Sequence, residues 1–243
     1  MSKTLALASL LALALPVGAQ TVITQWNFNS VPSDNATATG TLTPAIGLGT
    51  ATLVGGVTSP GFSSGAGSSD PTADGTSTTS NDSGWQTTGY AAQGSADRSA
   101  GTAYFVSTLG WQDISISYDL RHSNTSSRNE AVQVTFNAGA SWVDVASFAG
   151  ALGDTWFNNR SVDLSGLSAA DNNAGFGFRV VSTFAPGTSG YLASQGSSSY
   201  ATTGTWRFDM VTVSAVSPIP EPGTWALMLA GAGVVVSLRR RAR

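Results

Sequence analysis

His122 is the single histidine of this 243-residue chain, and cysteine is absent. Those two facts bound its chemistry. A Ser-His-Asp arrangement would need His122 as general base. The residue stands in Asp119-Leu-Arg-His-Ser-Asn-Thr, beside Ser123 and just after a strand pattern, and the chain has no Gly-x-Ser-x-Gly elbow. It reads as a surface histidine at a strand end. Metal sites built on several histidines are excluded by composition. Paired carboxylates can hydrolyse a glycosidic bond, but Glu130 is the only glutamate between residues 20 and 217. Its partner would be an aspartate such as Asp113, Asp119, Asp144 or Asp209, all in or beside strand patterns and read as solvent-facing. No catalytic residue is assigned, and the chain reads as a non-enzyme.

Aromatic residues are the stronger lead. The body carries Trp26, Trp85, Trp111, Trp142, Trp156 and Trp206. Sugar rings present C–H faces that stack on an indole, while Asn, Asp and Arg satisfy the hydroxyls. Trp26 and Trp206 sit in terminal strand patterns and read as core. Trp85 and Tyr90 fall in the loop-like run Asn81–Tyr90, and Trp156 is followed by Asn158, Asn159 and Arg160. Trp85, Tyr90, Trp156, Asn158 and Arg160 are therefore the carbohydrate-binding candidates, set against the alternative that such large rings cap the core.

Period-two alternation must position these groups. Ile114, Ile116, Tyr118 and Leu120 share one face, opposite Asp113, Ser115, Ser117 and Asp119. Val132, Val134 and Phe136 repeat the pattern, as do Phe176, Phe178 and Val180. Further strands are predicted over 21–28, 51–54, 102–107, 142–148, 160–164 and 205–213, with at most one helical turn over 164–171. Ser59 to Gly84 is rich in Gly, Ser, Thr and Asp, with little to bury beyond Phe62, and reads as one long loop. The fold class is all-β: a single β-sandwich of jelly-roll type over residues 20–217, with no disulfide to help its core. Hard cations prefer carboxylate oxygens. In jelly-roll carbohydrate-binding modules an Asp on the last strand often joins a structural calcium site, and Trp206–Val213 resembles that strand. Asp209 is thus the one candidate metal ligand, while Asp70 and Asp74 lack the spacing of a calcium loop. No other cofactor is implied.

The two ends read as addresses. Lys3, the apolar run Leu5–Leu15, Pro16 and the small residues Val17-Gly18-Ala19 make residues 1–19 a signal peptide, with secretion translocon and signal peptidase as partners. Trp225 to Leu238 carries no charge and Arg239, Arg240, Arg241 and Arg243 follow it, so a short transmembrane helix over about 224–238 with a cytoplasmic basic tail is expected. The formal charge of −3 conceals an acidic body. Residues 20–217 hold six arginines, 13 acidic residues and no lysine, a net −7 that disfavours nucleic acid.

Pro220-Glu221-Pro222, the apolar Trp225–Gly231 and the terminal arginines together closely resemble the PEP-CTERM sorting signal of Gram-negative bacteria. The same segment is sometimes catalogued as an ice-binding-protein C-terminal domain, a label that transfers no ice binding to the body. Ile219 stands where Val is usual, and Gly223 where Ser or Thr is common. The resemblance implies an exosortase-type membrane enzyme acting at Pro220-Glu221-Pro222, transient inner-membrane anchoring, and association with exopolysaccharide and biofilm. Ile114–Arg128 with Val132–Phe136 is loosely similar to sandwich domains of exported bacterial proteins and implies no activity. The expected function is that of a structural or adhesive surface or matrix component that binds exopolysaccharide. The alternatives are an extracellular polysaccharide hydrolase and a passive glycosylated surface protein. Intact-mass measurement of the exported form is expected to show a chain beginning at Gln20 and lacking residues 224–238. A mass that retains the C-terminal helix would make the tail a permanent anchor.

Overall fold

The computed structural model describes residues 19–71 and 81–218. Residues 1–18 of the leader, Pro220-Glu221-Pro222, the helix expected over 224–238, and Arg239, Arg240, Arg241 and Arg243 lie outside the described residues. Among the described residues no helix is long and apolar enough to cross a membrane.

Among the described residues there are twelve strands and one short 3-10 turn, Ser168–Ala170. In chain order they are β1 Gln20–Trp26, β2 Ile46–Gly47, β3 Thr50–Val54, β4 Thr58–Ser64, β5 Ser83–Thr88 and β6 Gly101–Phe105. There follow β7 Gln112–His122, β8 Asn129–Thr135, β9 Val143–Ala149, β10 Thr155–Asp163, β11 Gly177–Ser182 and β12 Trp206–Val216. All pairings are antiparallel. One sheet has seven strands in the order β10-β7-β12-β1-β2, and β5 with β4 joins β12 along its first residues, Trp206–Phe208. The other has five, in the order β3-β6-β11-β8-β9.

The alternation foresaw the principal strands because each has one face to bury. Ser59 to Gly84 is a correction. It is not one loop: β4 covers Thr58–Ser64 and β5 begins at Ser83. The run Thr-Ser-Pro-Gly-Phe-Ser-Ser of β4 has no alternation to read, and Pro60 is tolerated because β4 pairs only with β5 and so lies at a sheet edge. Pairing and the burial of Phe62 and Trp85 create these strands, not local propensity.

Aromatic rings from both sheets fill the space between them. Tyr104 of β6 meets Phe178 in a stack at 5.0 Å, Trp26 of the opposite sheet at 5.3 Å, and Trp85 and Phe208, also opposite, at 6.4 Å each. Gly101 admits no larger residue, since a Cβ there would overlap the backbone of Val180. Phe178→Ala is expected to cost about 3–5 kcal/mol in urea denaturation, whereas Leu48→Ala, at a residue 86% exposed, changes stability by about 0.5 kcal/mol or less.

Candidate functional site

Three β-bulges decide which way the chemistry-bearing side chains point. On β10 the pairing with β7 slips between Phe157 and Arg160, with Asn159 at φ +55°. On β12 it slips between Asp209 and Thr212, with Met210 at φ +46°. On β9 it slips opposite Val132 and Gln133. One inserted residue sends the remainder of a strand's side chains to the other face.

The five expected sugar-binding residues do not assemble. Trp85 is 2% exposed; its ring packs on Phe28 and Tyr104, and its indole N–H donates to Ser59 Oγ at 3.0 Å. Tyr90 is buried against Trp206, its hydroxyl shares a 2.6 Å hydrogen bond with Thr87, and burial pushes the phenol well above its usual range. The run that read as loop is a core strand and the turn after it. Trp156 is half-buried and Asn158 exposed, both on the outer side of β10, where Asn158 Nδ2 donates to the Gly67 carbonyl at 2.9 Å. The Asn159 bulge turns Arg160 inward, away from both.

Inside, Arg160 Nη1 meets Glu130 Oε1 at 2.6 Å, beneath the rings of Phe148 and Phe157. His122 was expected on the surface but is fully buried: β7 continues to it in register with Trp206, and Phe157 packs on its edge. Its Nδ1 lies 2.9 Å from the Ser127 carbonyl and its Nε2 3.4 Å from Glu130 Oε2. Ser123 Oγ accepts from the Thr205 amide instead, so no nucleophile–base pair forms there.

A second group lies on the outer side of the seven-stranded sheet. Asp119 and Asp209 face each other across β7 and β12 and were expected in solvent; both are buried, because Gly65–Asp70 crosses over them. Asp119 accepts from the backbone N–H of Ser69 and of Asn159. Carboxylate oxygens of Asp70, Asp82 and Asp209 all lie within 4.8 Å of one another, and all three residues are buried. Asp70, discounted on spacing, thus joins Asp209. Asn29 Nδ2 donates to Asp70 Oδ2 at 2.9 Å. Burial pushes the Asp209 carboxyl well above the usual range, and Asp70 and Asp82 add to the effect. Burial likewise lowers the Arg207 guanidinium to about 10. Its Nη1 and Nη2 donate to the Ser64 carbonyl and to Gln86.

The third group was missed from sequence. Across the outer side of the five-stranded sheet, the Arg179 guanidinium lies 4.5 Å over the half-buried Trp142 ring, and Phe105 meets that indole edge-on at 6.1 Å. Gln133 links the row, accepting from Arg179 Nε and donating to Asp144 Oδ1 at 2.6 Å. Asp144 also pairs with Arg98. Trp142 and Asp144 share parity with Phe148, which is partly buried and packs against the core, and only the β9 bulge separates their faces.

Residues 218–242 match the PEP-CTERM protein-sorting motif. The motif implies an exported, surface-sorted protein processed by an exosortase. No curated protein matches the chain in sequence. Among solved structures, it is similar to the CBM22-1–CBM22-2 tandem domain of Paenibacillus barcinonensis Xyn10C. That match has 13% identity and a TM-score of 0.48, and covers 86% of this chain and 49% of that one. The CBM22-1–GH10 modules of Clostridium thermocellum endo-1,4-β-D-xylanase 10B, complexed with xylohexaose, match at 11% identity and TM-score 0.40, over 68% and 27%. The K2 cleaved adhesin domain of Lys-gingipain matches at 12% and 0.30, over 68% and 97%. The chain spans about half and about a quarter of the first two.

Removing one member of the buried ionic group leaves its partner without compensation. Glu130→Ala is expected to cost about 3–5 kcal/mol in urea denaturation, because Arg160 stays enclosed without its carboxylate.

Proposed function

We propose that this protein is a structural or adhesive component of the cell surface or extracellular matrix of a Gram-negative bacterium, and that it holds exopolysaccharide on the outer side of its five-stranded sheet. The observation that carries this reading is the row Trp142–Arg179–Gln133–Asp144, with Phe105 beside it. A half-exposed indole offers a stacking surface, and a guanidinium, an amide and a carboxylate fixed next to it offer donors and acceptors to hydroxyls. Gly177 keeps the row low, since a Cβ there would stand 2.7 Å from the Phe105 ring. The sorting motif supports a place outside the cell.

A jelly-roll connectivity supports the same reading. The orders β5-β12-β7-β10 and β6-β11-β8-β9 pair eight strands as two interleaved Greek keys. Binding is favoured over hydrolysis by the setting of the acidic groups. Glu130 is enclosed with Arg160, Asp119 is tied to backbone amides, and the sole histidine is packed between rings.

Affinity electrophoresis of the exported protein in exopolysaccharide gels tests the proposal. Trp142→Ala and Arg179→Ala are each expected to weaken retention about tenfold, equivalent to ~1.4 kcal/mol, while Trp156→Ala leaves it unchanged. Retention indifferent to Trp142, or turnover of the polysaccharide, would overturn it.

A further inference from the structure

The end strands of a sheet offer unpaired backbone groups to other chains, and native sheets blunt them with charge, proline, bulges or brevity. Among the described residues the end strands are β2, β4 and β10 in one sheet and β3 and β9 in the other. β2 has two residues, and β4 carries Pro60 and a register shift between Thr58 and Gly61. β9 carries Asp144 and its bulge, and β10 the bulge at Asn159. β3, Thr50–Val54, has none of these devices. It pairs with β6 without a break in register and holds neither charge nor proline. Thr50 and Thr52 are exposed on it.

The surroundings of β3 are as free of charge as the strand. No charged residue stands between Asp34 and Asp70, a run that supplies β2, β3, β4 and the loops joining them. The body as a whole is acidic, so two copies approach with least repulsion along this edge. The flank is also apolar. A hollow beside β3 is lined by Leu42, Leu53 and Phe62, and a second one continues past Thr50 to Pro44 and the exposed Leu48.

We propose that two copies of this chain join through β3, antiparallel about a twofold axis at Thr52, and fuse their five-stranded sheets into one continuous sheet. An edge that alone is open pairs in a second copy with its own counterpart, and a twofold contact uses the same surface on both sides. In this register Thr52 faces the partner's Thr52 and Thr50 faces the partner's Val54. Ala51 meets the partner's Leu53, a small residue against a large one. Such cross-strand pairs are the unit of sheet stabilisation. Carried two residues further, the register brings Leu48 to the partner's Gly56, where a Cβ would meet nothing within 4 Å. The axis stands perpendicular to the sheet, so the outer sides of both copies face the same way. Phe105 lies opposite Thr50 on β6 and belongs to the sugar row, which places that row on this side. The pair therefore presents two rows to one polymer. That consequence rests on the sugar reading, whereas the pairing itself does not.

Sedimentation of the exported protein over a range of concentrations tests the proposal. The native chain is expected to pass from one copy to two at micromolar concentrations, as suits a contact of modest area. A charge at Thr52 lies opposite itself across the axis, so Thr52→Asp and Thr52→Lys are each expected to sediment as single copies. Both keep the native fold, because the residue is exposed. Mixed in equal amounts, the two variants are expected to pair again, since opposite charges then face each other. Leu152→Asp, at an exposed residue after β9, leaves the equilibrium as it is. Leu48→Asp is expected to weaken pairing about tenfold and serves if the Thr52 variants do not fold. A native chain that stays single throughout would overturn the proposal. So would pairing that charges at Thr52 and Leu48 leave intact, or a mixture of the two Thr52 variants that stays single. A paired chain that exopolysaccharide gels do not retain would overturn the sugar reading alone.

Discussion

Contact between two apolar sheet faces holds this chain together, because no disulfide does. The rings of Trp26, Trp85, Tyr104, Phe178 and Phe208 interlock across that layer, and every strand that borders the proposed sites takes its place from it. The same layer encloses Glu130, Arg160 and His122. Charges placed there tolerate no missing partner, so packing and pairing are one constraint at that spot.

Bulges convert this layer into distinct surfaces. On β10, Asn159 separates the outward Trp156 and Asn158 from the inward Arg160. On β12, Met210 separates the outward Asp209 from the inward Val211. The two bulges flank Asp119 of β7, whose carboxylate caps the Asn159 amide on one side and the Ser69 amide above. The irregularities on β10 and β12 and the covering segment therefore support one another.

The two outer sides of the sandwich have different fates. The seven-stranded sheet is overlaid by Gly65–Asp70, which turns outward-facing aspartates into buried ones. The five-stranded sheet keeps an aromatic and polar row partly open, with Arg179 lying over Trp142. Burial lowers the pKa of that guanidinium while the nearby Asp144 carboxylate raises it, so Asp144 helps keep the arginine charged beside the ring. A lysine-free acidic body with such a row suits a neutral polymer better than a polyanion.

The sequence by itself determined the address and the class of fold. Pro220-Glu221-Pro222 is read as a linear motif, and the alternation of Ile114, Ile116, Tyr118 and Leu120 marks a buried face, because both signals are local. Only the tertiary structure decided the candidate sites. Trp85 looked like a loop residue because β4 and β5 exist through pairing and burial, which local pattern does not record. Trp142 shares parity with Phe148, which packs against the core, and one bulge residue reverses its face. Asp70, Asp82 and Asp209 are far apart in the chain and carry no spacing signal. They meet because Gly65 lets the backbone pass close over the last strand, a contact that no stretch of sequence contains.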